Sequence, residues 1–162
     1  MNAPASAVAG FFALLVTAAC TPTTEIDIET ERAAVTAVIH NSIEWALDKD
    51  TVKLYDSFVH DETLFFFQPR DEMLGYAALR ETAENVWLDD RFRATRTEIS
   101  DLHVAISESG TVAWFRCLLD DEGEWDGRAV GWYDTRWTGV LEKQDGKWVI
   151  VQQHFSFKDE AE

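Results

Sequence analysis

Basic side chains are scarce in this sequence. Its 162 residues contain 14 Lys and Arg against 30 Asp and Glu, which gives a formal net charge of −16. Nucleic acid is a polyanion, so this charge excludes the nucleic-acid-binding classes of protein. It also disfavours direct binding to an anionic membrane surface, unless a covalent group holds the protein there.

A hydrophobic run long enough to cross a bilayer is also missing. Residues 1–24 carry no charge, and the apolar run that includes Val8–Val16 is about 12 residues long, whereas a spanning helix needs about 20. This pattern is typical of a secretory signal peptide. The segment Thr17-Ala18-Ala19-Cys20 resembles the lipobox of bacterial lipoproteins. The resemblance implies cleavage before Cys20 and a diacylglycerol on its sulfur.

We therefore predict a signal peptide over residues 1–19 and a lipidated Cys20 with a short tether over residues 20–28. The protein is then exported and held in the cell envelope through its lipid alone. Thr21 implies the periplasmic side of the outer membrane if the host is Gram-negative. An ordinary cleaved signal and an uncleaved start are the alternatives.

Cysteine is the next scarce residue, with two in the chain. If Cys20 is lipidated, Cys117 has no partner, so no intrachain disulfide is expected and packing must stabilise the fold. A lone cysteine in a strand is expected to be a small buried apolar residue rather than a nucleophile.

The hydrophobic pattern predicts one α+β domain over residues 29–157, followed by an acidic tail over 158–162. Apolar residues recur every three or four positions in the N-terminal half and every second position after residue 93. The expected elements are helices at 29–48, 50–59 and 76–88, a short strand at 63–67, and long strands at 94–107, 111–121, 128–142 and 147–157. Sequential hairpins give an antiparallel sheet, and strands this long coil strongly enough to leave a conical cavity above the helices.

Four parts of the chain form a recognisable pattern when taken in order: Trp45, Tyr55–Glu62, Gly75-Tyr76 and Asp145–Ser156. Together they resemble the SnoaL-like domains of the nuclear-transport-factor-2-like superfamily. The resemblance implies a cone-shaped α+β barrel, with three N-terminal helices packed on a strongly curved antiparallel sheet. It does not imply one activity, because this superfamily contains enzymes and pure binders.

One reaction of that superfamily can be compared residue by residue. The ketosteroid isomerases use a general-base Asp and an oxyanion-holding Tyr. The corresponding positions here fall on Phe66 and near Ser42. Neither side chain can do that chemistry, so the isomerase mechanism is not expected.

Polar residues on the last strands are the first candidates for catalysis. Arg136 and His154, with Arg116 and Asp134 nearby, are predicted to form a polar patch on the cavity floor. The register decides whether they meet. A two-residue turn at Asp145-Gly146 places Trp137 opposite His154, whereas a bulged three-residue loop, which we favour, places Arg136 opposite His154. An internal network that only satisfies buried polar groups is the alternative.

Aromatic residues make up 12% of the chain, including 7 Trp, which is more than a small core needs. The predicted pocket consists of Trp45, Tyr55, Phe66, Trp87, Trp114, Arg116, Trp132 and Gln152. No cofactor or metal is expected, because no HxH, CxxC or HExxH spacing occurs and the acidic run Asp120–Asp126 is interpreted as a solvated hairpin tip.

Three functions follow from these patterns. The first is a binding domain for a small apolar or aromatic ligand. The second is an acid–base enzyme of lyase, isomerase or cyclase type that uses His154 with Arg136 or Asp134. The third is a module that forms homodimers through the outer face of the sheet.

Overall fold

The computed structural model describes residues 26–158. The predicted signal peptide, the lipidation at Cys20 and residues 159–162 of the acidic tail lie outside this range. Within it, no helix is both long and apolar enough to cross a membrane.

Two capped helices begin the domain. Helix α1 spans Ile28–Asp48, and the Asp27 side chain accepts hydrogen bonds from the backbone N–H groups of its first turn. It ends at Lys49, which adopts a left-handed φ of 52°. Helix α2 spans Thr51–Asp56 and is capped in the same way by Asp50. Such caps satisfy N–H groups that have no partner inside the helix.

The third helix changes its winding before it ends. Helix α3 spans Gly75–Thr82 and continues as a π-helical turn over Ala83–Trp87. Together they match the helix predicted for residues 76–88 to within one residue at each end. The wider turn carries Trp87, whose ring centroid lies 6.0 Å from that of Trp45 on α1.

The helices pack on one six-stranded sheet, which confirms the predicted α+β fold. Its order is β2-β1-β6-β5-β4-β3. All neighbours are antiparallel except β1 and β6, which run parallel, so the sheet is mixed at one pair. Strand β2 was not predicted, because three residues give too short a pattern. The strands are β1 Phe65–Phe67, β2 Glu72–Leu74, β3 Phe92–Ile106, β4 Val112–Trp125, β5 Arg128–Gln144 and β6 Lys147–Ser156.

The acidic run after residue 120 is not a hairpin tip. It belongs to β4, and the turn lies later, at Asp126-Gly127, where Trp125 pairs with Arg128. Both turn residues have positive φ, 52° and 74°, as a two-residue type I′ turn requires. The prediction placed this turn too early, so Asp121 was assigned to solvent instead of to the sheet.

The hairpin at Asp145-Gly146 is confirmed, but the favoured register is wrong. The turn has two residues, with φ values of 49° and 81°, and Gln144 pairs with Lys147. A β-bulge at Val151 then shifts the pairing by one residue, so that Trp137 lies opposite Phe155 and His154 opposite Thr138. Arg136 lies opposite Ser156 rather than His154.

Candidate functional site

A cavity of about 340 Å³ lies between α1, the π-helical turn, and the inner face of the sheet near the β4–β5 hairpin. Its walls are mainly aromatic. They include Trp45, Phe58, Phe66, Trp87, Trp132 and Phe155. Three pairs of these rings meet at an angle: Trp45 with Trp87 at 51°, Phe58 with Phe66 at 47°, and Trp132 with Phe155 at 56°.

Four of the eight predicted pocket residues line this cavity. Trp45 and Phe66 are buried, and Trp87 and Trp132 are half-buried against them. The helical stripes account for Trp45 and Trp87. Strict alternation along β5 does not account for Trp132, because a bulge at Tyr133 and Asp134 brings Trp132 to the same inner face as Trp137.

The other four predicted pocket residues lie elsewhere. Tyr55 packs against Tyr76 and beneath the Arg80 guanidinium, beside α3. Trp114, Arg116 and Gln152 line a shallow depression on the outer face of the sheet. The outward position of Gln152 follows from the bulge at Val151. Beyond this bulge the residues of β6 that face inward change parity, so Gln153 faces the interior instead of Gln152.

The predicted catalytic residues do not meet on the cavity floor. His154, Arg136 and Asp134 are all exposed, and none of them lines the cavity. His154 lies on the outer face against the ring of Phe67, with 6.2 Å between ring centroids. Asp134 occupies a bulge with a φ of 49°, and its backbone N–H donates to Asp120. The polar patch expected inside the cone is therefore outside it.

Among the described residues, two acids belong to the cavity lining, Asp121 and Glu122. Glu122 is ion-paired with Arg96, so Asp121, which the sequence pattern assigned to a solvated hairpin tip, is the candidate for chemistry. It pairs with Thr97 on β3 and Trp132 on β5, and its Oδ1 accepts a hydrogen bond of 3.0 Å from the Thr97 hydroxyl. Burial raises the pKa of the Asp121 carboxyl to about 6, although the Thr97 hydrogen bond works in the opposite direction. A carboxyl with such a pKa can hold or release a proton near neutral pH.

Two further polar groups belong to the interior. The Oε1 atom of Gln153 accepts a hydrogen bond of 3.1 Å from the Trp137 indole, and Gln153 also lines the cavity. The Ser42 hydroxyl donates to the carbonyl of Ile39 at 2.8 Å. The cavity thus combines an apolar wall with a few oriented hydrogen-bonding groups, which is the usual composition of a small-molecule site.

A family comparison agrees with this architecture. The SnoaL-like domain family matches residues 35–160. The chain belongs to the SnoaL-like domain family. Among curated proteins, none matches this chain.

Solved structures support the same fold for this SnoaL-like domain. A nuclear transport factor 2-like superfamily protein from Salmonella enterica superposes with a TM-score of 0.67 at 18% identity, covering 83% of this chain and 95% of that one. A proposed dehydratase of the same family from Streptomyces avermitilis gives 0.64 at 15%, covering 79% and 96%. A protein of unknown function from Mycobacterium tuberculosis gives 0.64 at 21%, covering 78% and 76%. Identities this low establish the shared fold alone.

Two features of this SnoaL-like domain limit its chemistry. Phe66 and Ser42, the residues that the sequence resemblance aligns with the base and near the tyrosine of ketosteroid isomerases, both line the cavity, and neither side chain can act as that base or tyrosine. Cys117 is buried, and desolvation raises the pKa of its thiol to about 12, which makes it unreactive at neutral pH. Between residues 26 and 158, no cluster of His, Cys, Asp and Glu could hold a metal ion.

Proposed function

We propose that this SnoaL-like domain binds a small apolar or aromatic ligand inside its cone. The observation that carries the proposal is the cavity of about 340 Å³ with a wall of tryptophan and phenylalanine rings. Rings that meet at an angle offer both faces and edges to a flat ligand, and such contacts add to the free energy of burial. A fully packed core would have left no space of this size.

The interior polar groups would orient such a ligand. Because the Gln153 Oε1 atom is engaged by the Trp137 indole, the amino group of the same side chain is the part that can donate to a ligand oxygen. Asp121 offers a second contact on the neighbouring wall.

A fluorescent probe can test this proposal. N-phenyl-1-naphthylamine is neutral and brightens when it enters an apolar site. Ala46 lines the cavity on α1, whereas Ala105 lies in the outer depression. We expect Ala46→Phe to fill the cavity and weaken probe binding by about tenfold or more, while Ala105→Phe leaves the affinity unchanged.

Thermal melting of both variants serves as the control for folding. If Ala105→Phe, and not Ala46→Phe, impairs binding, the ligand site lies on the outer face and the proposal fails. Failure of the wild-type protein to bind any neutral aromatic probe would have the same consequence.

Acid–base catalysis is the second candidate function, with Asp121 in place of the residues predicted from sequence. The raised pKa of this carboxyl and its position on an apolar wall favour it. The fold neighbour named as a proposed dehydratase lends support by analogy only. In this proposal the Asp121 carboxylate takes a proton from a carbon beside a carbonyl, and the Gln153 amide donates to the enolate oxygen.

Deuterium exchange tests that step without a known substrate. The ketone 2-tetralone has acidic C–H bonds, and NMR follows their replacement by deuterium in D₂O. We expect the wild-type protein to accelerate exchange above the buffer rate and Asp121→Asn to lose the acceleration. Exchange that is equally fast with Asp121→Asn would exclude this role.

We also propose that a second copy of the chain covers the outer face of the sheet. Large apolar side chains are exposed there, among them Phe67, Trp114 and Tyr133. Arg116 lies beside them and pairs with Asp101, so the face carries both signs of charge although the protein is strongly acidic. A two-fold dimer needs a self-complementary surface of this kind.

Light scattering after size-exclusion chromatography measures the oligomeric state. We expect a dimer, and we expect Trp114→Arg to shift the protein to a monomer because it places two like charges in the interface. A wild-type monomer at high concentration would contradict the proposal.

Export and lipidation remain a proposal that rests on the sequence of residues 1–24 and Cys20. Metabolic labelling with a radioactive fatty acid in a bacterial host should label the wild-type protein and not Cys20→Ser. Equal labelling of the two would contradict lipidation at this residue.

A further inference from the structure

The cavity wall contains a negative charge and no positive one. Asp121 is the acid whose carboxyl belongs to the wall, since the Glu122 carboxylate is ion-paired with Arg96 on the opposite side of the strand. Among the residues the structure describes, no Lys, Arg or His side chain lines the cavity. A ligand with a carboxylate or phosphate would therefore meet a like charge and no counter-charge.

The rings around Asp121 add to the preference for positive charge. Trp132 lies directly opposite Asp121 on the neighbouring strand, and Trp125 lies further along the same face of β4. The face of an indole is the electron-rich side of its quadrupole and attracts cations. The Arg91 guanidinium already stacks over Trp125, 4.7 Å from the ring centroid, and is neutralised by Asp89.

The Asp121 carboxyl is partly buried and has few hydrogen-bonding partners. The only hydrogen bond to its carboxyl among the described residues comes from a neutral hydroxyl, that of Thr97, and burial raises the pKa of this carboxyl to about 6. At neutral pH a partly buried carboxylate without a cationic partner is left poorly solvated. A bound cation would supply the missing partner.

We propose that the cavity takes an organic cation, a small aromatic or apolar molecule whose ammonium group lies against Asp121 and the surrounding indole faces. This inference rests on the ligand-binding function proposed above and names its chemical class. A quaternary or tertiary ammonium suits the site better than a primary one, because rings that meet at an angle surround a rounded, weakly hydrated group.

A matched pair of probes separates charge from shape. Phenyltrimethylammonium and tert-butylbenzene have the same heavy-atom skeleton and differ by one positive charge. Benzenesulfonate serves as the anion of similar size.

Quenching of tryptophan fluorescence in the wild-type full chain gives the three dissociation constants. We expect the cation to bind about tenfold or more tightly than its neutral isostere, which is the combined size of a desolvated cation–π contact and an ion pair. We expect the anion not to bind.

Two isosteric variants assign that preference to the cavity. Asp121→Asn should reduce the ratio of the two affinities to below about threefold by weakening the binding of the cation. Asp145→Asn removes one charge at the distant β5–β6 turn, where Asn-Gly supports the same turn geometry. It should keep the full ratio.

Each other outcome has a distinct meaning. Equal affinity for the cation and its neutral isostere would overturn the present inference and leave the proposed ligand-binding function intact. Absence of binding for all three probes would overturn both. A cation preference that Asp121→Asn and Asp145→Asn reduce equally would assign it to the overall charge of −16 and would also overturn the inference.

Discussion

The inner and outer faces of the sheet are built by alternate residues of the same strands, yet they treat charge differently. On the outer face, acids and bases pair with one another in solvent, as Asp101 does with Arg116 and Arg96 does with Glu122. On the inner face, Asp121 shares the cavity wall with aromatic rings, lies opposite Trp132, and accepts a hydrogen bond from the Thr97 hydroxyl. Solvent-exposed ion pairs contribute little to the free energy of folding. A carboxylate on a largely apolar wall lowers the stability of the fold, which makes it a candidate for binding a ligand or for catalysis.

Removing a large ring from the inner face should have the largest effect. Trp137 is fully buried, packs against Phe115 and Phe155, and donates a hydrogen bond to Gln153. We expect Trp137→Ala to lower the free energy of unfolding by about 3–5 kcal/mol. We expect Arg136→Ala, the change at the neighbouring outer-face residue, to lower the free energy of unfolding by less than about 0.5 kcal/mol. Urea unfolding measures both, and similar costs for the two variants would contradict the assignment of faces.

Adding a single methyl group to the inner face should have the next largest effect. A Cβ atom at Gly139 would lie 2.5 Å from the Phe115 ring and 2.8 Å from the Gln152 carbonyl oxygen. We expect Gly139→Ala to lower the free energy of unfolding by about 1–3 kcal/mol because the ring and the strand must move. Thr138→Ala, one residue away on the outer face, is the control in the same unfolding experiment, and an equal loss there would refute the explanation.

Neutralising Asp121 should stabilise the protein. The folded state binds its proton more tightly than the unfolded chain, because burial raises the pKa of the carboxyl from 3.8 to about 6. The resulting penalty is absent below pH 4, grows as the pH rises from 4 to 6, and is complete above that. We expect Asp121→Asn to raise the free energy of unfolding at pH 7.5 by about 1–2 kcal/mol.

The same variant should show no gain at pH 4, where wild-type Asp121 is protonated when folded. Urea unfolding at the two pH values measures this difference, with Asp145→Asn as the exposed control. A gain that does not depend on pH would contradict the raised pKa.

The smallest effect is expected at His154. It is exposed on the outer face, opposite Thr138, so His154→Gln should leave both the affinity for N-phenyl-1-naphthylamine and the melting temperature unchanged. A binding defect with normal stability would restore the site originally predicted from sequence.

Much of the secondary structure of this protein could be predicted from its sequence. Periodicity was sufficient for the helices and the long strands, because Val35, Ile39, Ser42 and Trp45 form one buried stripe and residues after 93 alternate. The Asp145-Gly146 dipeptide located its turn correctly. Trp45 and Trp87 could therefore be placed in the cavity, whereas the inward position of Trp132 depends on a bulge in β5.

Which face a polar residue occupies was harder to predict, since a single bulge reverses it. The extra residue at Val151 turned Gln153 inward and His154 outward. The sequence carries a second turn signal as well. The Asp126-Gly127 dipeptide is a two-residue hairpin turn, and it would have extended β4 far enough to place Asp121 on the same face as Phe115, Cys117 and Leu119.

The indole N–H signals of the protein's 7 tryptophans provide the most direct test of a ligand site inside the cone. Titration with tert-butylbenzene, followed by proton–nitrogen correlation NMR, reports on each ring separately. We predict that the signals of Trp45, Trp87 and Trp132 move together and saturate, while that of Trp114 on the outer face stays in place. Movement of the Trp114 signal alone, or of no indole signal at all, would contradict the account.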